Sequence, residues 1–120
     1  MSSDELLIEE AKRRIEAHNN LPRYLEIVLS TAREIDPESE VYIFGSVAEG
    51  RSLPSSDIDI LIVTEKDAAE ILPKLWERGV KTPFEIHVVK KNALEIYRRK
   101  TKLIKAEDYL ATSKIPLAPS

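Results

Sequence analysis

The sequence predicts an α/β or α+β domain built around a small sheet. Three observations carry that expectation. An amphipathic helical stripe fills the first third of the chain, three short β-branched or aromatic runs follow, and helical spacing recurs between and after those runs. The chain has 120 residues and is 42% hydrophobic, about 50 apolar side chains, which is enough for one core and too little for two. A single domain spanning residues 1–120 is therefore expected.

From Ser3, residues Ile8, Ala11 and Ile15 follow helical spacing, Ser2 and Glu5 have capping-box spacing, and Asn19 with Asn20 ends the run. The first helix is read over residues 3–18. Pro22 suits the first turn of a second helix, in which Leu25, Val28, Leu29, Ala32 and Ile35 form a stripe before the Asp36-Pro37 turn. Residues 41–44 read as a strand that stops at Gly45, and residues 57–63 as a second strand, acidic at its start and aliphatic beyond. A glycine- and serine-rich loop joins them. Residues 66–78 read as a helix ending at Gly79, with Pro73 expected to kink or restart it. Residues 84–89 make a third strand. Residues 91–105 read as a helix with Ala93, Leu94, Tyr97 and Ile104 inward, and Pro116 and Pro119 argue against a long final helix. Trp76 and Tyr97 fall on helical stripes and are read as core anchors.

The absence of cysteine excludes a disulfide framework, a thiol nucleophile and a zinc-thiolate site, and points to a reducing compartment, the cytoplasm by default. The N-terminal run carries carboxylates where a signal peptide needs a basic start, and no apolar segment is long enough to cross a bilayer, so no membrane role is expected. The net charge of −3 divides unevenly. Residues 1–89 hold 10 Lys/Arg and 18 Asp/Glu, and residues 90–120 hold 8 and 3, giving −8 and +5. An acidic body makes nucleic acid an unlikely ligand, because counterion release needs a broad cationic surface. A nucleotide or a protein partner is expected instead, and self-association stays open.

The chemistry concentrates around Gly45-Ser46 and Asp57-Ile58-Asp59, which are separated by ten residues. On a strand, Asp57 and Asp59 share a face with Cα atoms about 6.6 Å apart. Two like charges side by side are unfavourable unless a cation lies between them, and carboxylates are the hard oxygen ligands that Mg²⁺ prefers. Ile58, Ile60 and Ile62 take the opposite face. A strand entering a glycine and then a helical turn leaves free N–H groups and the Ser46 hydroxyl aimed at one place, a seat for phosphate. Ser46 and Glu49 have capping-box spacing, so a short helix starting at Ser46 is expected. On the third strand Glu85 and His87 oppose Phe84, Ile86 and Val88, which brings Glu85 beside the aspartates if register permits. Three carboxylates can hold two Mg²⁺ ions roughly 4 Å apart, the arrangement of phosphoryl and nucleotidyl transfer. His87 is read as a surface or hydrogen-bonded residue and is left out of catalysis.

This pattern, Gly45-Ser46 followed by Asp57-Ile58-Asp59 and a later strand acid, resembles the minimal nucleotidyltransferases of the DNA polymerase beta superfamily, including the MntA-type antitoxins paired with HEPN toxins. The resemblance spans roughly residues 40–90. It implies a mixed small sheet flanked by helices. It also implies Mg²⁺ ligation by Asp57, Asp59 and Glu85, phosphate contacts from Gly45 and Ser46, ATP as donor and, for antitoxin members, AMP transfer to a tyrosine hydroxyl of the toxin. Two departures from the family pattern stand out. Many members have arginine where this chain has Glu49, which leaves a phosphate contact to nearby Arg51, and the third acid is often aspartate where this chain has Glu85. Two alternatives remain beside the enzyme: a nucleotidyltransferase-like subunit that neutralises its partner by occlusion, and a small-molecule nucleotidyltransferase. The basic run of Lys90, Lys91, Arg98, Arg99, Lys100, Lys102 and Lys105 is read as a solvated face, with neutralisation of a triphosphate or an acidic partner as the competing role.

Overall fold

In the computed structural model, which describes residues 2–114, helices α1 (Ser3–Asn19) and α2 (Leu21–Ile35) precede strand β1 (Glu40–Phe44). One helical turn, α3 (Gly45–Ala48), leads through a loop to β2 (Ile58–Val63), α4 (Ala68–Glu77) and β3 (Phe84–Val89). A 3₁₀ turn over Lys91–Ala93 enters α5 (Leu94–Lys100), and β4 (Ile104–Lys105) and α6 (Ala106–Lys114) complete the described chain. The four strands form one mixed sheet in the order β3-β2-β1-β4, with β2 and β3 parallel and β1 antiparallel to both β2 and β4. This is the small mixed sheet flanked by helices that the sequence led us to expect.

The apolar stripe of α2 explains why the sheet is covered on one side. Leu25, Val28 and Ala32 are fully buried against Val41 and Ile43 of β1 and Ile58, Ile60 and Ile62 of β2, with Ile71 and Leu75 of α4 and Ala106 and Leu110 of α6 completing the layer. The opposite face is thinner. Tyr42, Leu61 and Val63 are buried there beneath Leu94 and Tyr97 of α5 and Leu103. Strand β2 is thus closed on both faces, which is why it reads as a near-continuous aliphatic run. Asp59 is its one charged residue.

Several expectations fail for physical reasons. Ile8, Ala11 and Ile15 of α1 face outward, since α1 buries only Ala17. Ser2 Oγ does accept from the Glu5 amide, at 3.2 Å. Pro73 does not restart α4, which runs unbroken through it. The carbonyl it leaves unpaired belongs to exposed Ala69, which water can serve, and the Asp67/Glu70 capping box secures the start. Trp76 is 59% exposed and stacks under the Lys81 ammonium instead of anchoring the core. Tyr97 does pack inward, against Phe44.

The helix expected over residues 91–105 breaks after Lys100, and Ile104 lies on a strand. Tyr42 and Ile43 pair with Lys105 and Ile104, so β4 supplies hydrogen-bond partners to an edge of β1 that would otherwise stay open. Pairing outweighs helix propensity over this short stretch, and α6 then runs to Lys114. Pro116 and Pro119 lie outside the described residues.

Truncating the doubly covered strand leaves a void that nothing can fill. Ile60→Ala is expected to cost about 2–5 kcal/mol in urea unfolding, whereas Trp76→Ala is expected to cost about 1 kcal/mol or less.

Candidate functional site

The register fixes the centre of the site. Phe44 of β1, Asp59 of β2 and Glu85 of β3 lie side by side across the sheet, so the two carboxylates rise from neighbouring parallel strands on one face. His87, two residues further along β3, joins them. Ligand atoms of Asp59, Glu85 and His87 all lie within 4.8 Å of one another. The His87 Nε2 atom is 3.7 Å from Asp59 Oδ1, beyond hydrogen-bond reach, and is buried with no hydrogen-bond partner among the described residues. Phe44 packs edge-on against the His87 ring, with centroids 5.0 Å apart, and holds it upright.

Asp59 carries the electrostatic strain of this arrangement. Burial pushes its carboxyl above the usual carboxylate range, and the Glu85 carboxyl adds to the shift by hydrogen bonding and by charge. His87 opposes the shift and Asp57 reinforces it. Like-charged oxygens crowded in a partly dry place either hold a proton or hold a cation.

Gly45 makes the crowding possible. Its φ of +72° is in the left-handed region, and a Cβ placed there would collide with the Asp59 carboxylate and lie 3.3 Å from its Cγ. The backbone of the turn therefore runs directly beside the acid. The Gly45 N–H donates to Thr101 Oγ1 at 3.4 Å, and Ser46 is half-buried with a hydroxyl that makes no hydrogen bond among the described residues. The first turn of a helix has no intrahelical acceptors for its N–H groups. The Ser46/Glu49 capping box does not form. The turn begins one residue earlier than expected, with Phe44 at the N-cap, and the Glu49 carboxylate instead accepts from Arg51 Nε at 2.7 Å.

Asp57 is placed differently from its sequence neighbour. It precedes β2 and is bound by Arg14 of α1, whose Nη1 lies 3.1 Å from Asp57 Oδ1 and also donates to the Ser55 carbonyl. His18 reaches the Ser56 carbonyl at 2.8 Å, so α1 fastens this whole loop. The structure thus brings together Asp59, Glu85 and Gly45, keeps Ser46 on the adjoining turn, and holds Asp57 to one side.

Two participants escaped the sequence reading for different reasons. His87 shares the period-2 face of Glu85, a signal that was present and was outweighed by how ordinary a lone strand histidine is. Arg14 meets Asp57 across 43 residues, a contact for which the sequence offers no local signal.

Strand acids thus cluster beside a glycine turn on a small mixed sheet, and the ligand atoms of Asp59, Glu85 and His87 lie close enough together that they could hold a metal ion. The family model of the nucleotidyltransferase domain matches residues 25–115, and the chain belongs to that family, whose activity is nucleotidyl transfer. Two solved structures agree. A crystal structure at 1.40 Å of a Sulfolobus solfataricus protein provisionally named a nucleotidyltransferase is 25% identical, with a TM-score of 0.54 over 76% of this chain and 85% of that one. A second structure with the same provisional name is 26% identical, with a TM-score of 0.54 over 67% of this chain and 94% of that one. No curated protein matches the chain significantly. Among the described residues no helix is long and apolar enough to cross a membrane.

Two outcomes follow from the crowded acid. Gly45→Ala is expected to destabilise the fold by about 1–2 kcal/mol for the left-handed backbone alone, with a further penalty from displacing Asp59, read by chemical denaturation. Because the folded state holds the Asp59 proton more firmly than the unfolded state does, stability from this group is present at low pH and is lost as pH rises through the raised pKa. In metal-free buffer Asp59→Asn should therefore melt higher than wild type at pH 7, and the gap should close as pH falls towards 4.

Proposed function

We propose that this chain is a Mg²⁺-dependent nucleotidyltransferase, acting as one domain, that transfers AMP from ATP to a hydroxyl acceptor, a tyrosine of a HEPN-family toxin. The observation that carries this reading is the convergence of Asp59, Glu85 and His87 on one point beside the Gly45 turn. The two carboxylates are the hard oxygen donors that suit the ion, and the His87 Nε2 atom beside them is buried with no hydrogen-bond partner among the described residues. Asp59 and Glu85 hold Mg²⁺ in this reading, and Asp57 joins them as the third carboxylate once its exposed ion pair with Arg14 opens. That pair is a weak barrier, because exposed ion pairs contribute about 1 kcal/mol or less. With three carboxylates a second ion can be held.

Mg²⁺ held by these residues would neutralise phosphate charge and polarise the α-phosphorus. The turn of Gly45 and Ser46 orients the phosphate oxygens, with the Ser46 hydroxyl as donor and the Gly45 N–H joining it on release from Thr101. Arg98, Lys102 and Lys105 line a cavity of about 550 Å³ whose wall includes Thr101, the residue in contact with Gly45, and these cations suit a polyphosphate tail. Glu85 lies on the exposed edge strand, where an acceptor can approach, and takes the proton of its hydroxyl. The acceptor oxygen bonds to the α-phosphorus, the bond from that phosphorus to the bridging oxygen breaks, and pyrophosphate leaves.

A second reading rests on a specific feature. Asp57 is held by Arg14, and Arg51, the candidate substitute for the family arginine, is held by Glu49. A subunit arrested in this state would neutralise its partner by covering it.

With ATP labelled at the α-phosphate and a purified HEPN-family partner, label should appear on the partner. Asp59→Asn and Glu85→Gln should each lower transfer by at least about 10²-fold, and Asp57→Asn should do likewise. Undiminished neutralisation by those three variants would establish occlusion in place of catalysis. Mg²⁺ affinity, followed at the Gly45 and Glu85 amides, should tighten as pH rises through the Asp59 pKa, because the proton and the ion compete for one carboxylate.

A further inference from the structure

We propose that α1 is a dimerisation arm that pairs antiparallel with α1 of a second copy of this chain. This inference does not depend on the catalytic reading. Residues 2–13 are exposed without a break, and the side-chain bonds that tie α1 to the body come from its last turns, from Arg14, Glu16 and His18. It also lies outside the family-matched region, residues 25–115. A free helix of this length is marginal in water, and its stability ordinarily comes from packing an apolar face.

That apolar face exists and is uncovered. Ile8, Ala11 and Ile15 recur at the three- and four-residue spacing of a helix-pairing seam, with Leu7 at its margin, and Leu7, Ile8 and Ile15 are 65%, 54% and 47% exposed. Ala11, in the middle of the seam, is small enough to let a second helix approach closely. Leu7 and Ile8 are open, and Ala11 and Ile15 border a cavity whose far wall is Pro54 and Ser55 of the loop before β2.

Charge complementarity names the occupant. Glu5 and Lys12 are seven residues apart and therefore lie on one flank of the seam. In an antiparallel pair, like flanks face each other with their directions reversed, so Glu5 of each helix meets Lys12 of the other, twice by symmetry. The same reversal sets the acidic half of α1, with Asp4, Glu5, Glu9 and Glu10, against the basic pair Lys12 and Arg13. A parallel pair would align like charge with like. The helix is thus complementary to itself in one orientation.

Sedimentation velocity across a concentration series tests this directly. Wild type should form a dimer with a dissociation constant in the range of about 1–100 µM. Ile8→Glu combined with Ile15→Glu should give a monomer whose body melts as wild type does. Glu5→Lys and Lys12→Glu should each weaken the dimer at least about tenfold, the double variant should restore it, and an equimolar mixture of the two single variants should form heterodimers in preference to either homodimer. A wild-type monomer at about 100 µM would overturn the proposal. So would a dimer indifferent to Ile8→Glu and Ile15→Glu, or a Glu5/Lys12 double variant no tighter than its parents.

Discussion

The site depends on one constraint: a carboxylate set into the middle of a sheet that is otherwise sealed. Strand β2 is buried along both faces, and Asp59 interrupts it at the level where β1 turns into Gly45 and where β3 presents Glu85. In that position a charge is costly unless something neutralises it. Asp59 is therefore pushed towards its protonated form by burial and by Glu85. A fold organised only for stability would place an aliphatic residue there. A cation placed there would relieve the strain.

The surroundings of Asp59 follow from the same requirement. Only glycine allows the β1 turn to pass against the carboxylate, and only a left-handed residue turns the strand so sharply into α3. Phe44 fills the space between the acid and α5 and holds the His87 ring. Thr101 closes the other side by accepting from Gly45. The short strand β4, which follows Thr101, is held by its ladder to β1 and by Ile104 packing against the core. The thin face of the sheet, covered by α5 and the segment leading to β4, thus carries the candidate site, and the thick face under α2, α4 and α6 carries most of the core.

The loop before β2 is secured from outside the family region. Arg14 and His18 of α1 hold Asp57 and the carbonyls of Ser55 and Ser56, so the placement of an acidic side chain beside the site depends on a helix that barely touches the core. Whatever covers the outer face of α1 therefore bears on the loop that carries Asp57.

The sequence by itself determined the class of fold, β3 to the residue and β1 and β2 to within one, the two core helices over the sheet, and the alternation that puts Glu85 and His87 opposite Phe84, Ile86 and Val88. These are properties of local period, and period is written in the chain. It also marked Gly45 and Asp59, because a strand ending in glycine and an acid inside an aliphatic run are local anomalies. Tertiary structure alone decided the rest. The outward turn of Ile8 and Ile15, the exposure of Trp76, the conversion of Ile104 from helix to strand, the separation of Asp57 from Asp59 and the recruitment of His87 all depend on which distant surface lies alongside. Burial and strand pairing are relations between segments far apart in the chain, and no pattern within either segment encodes its partner.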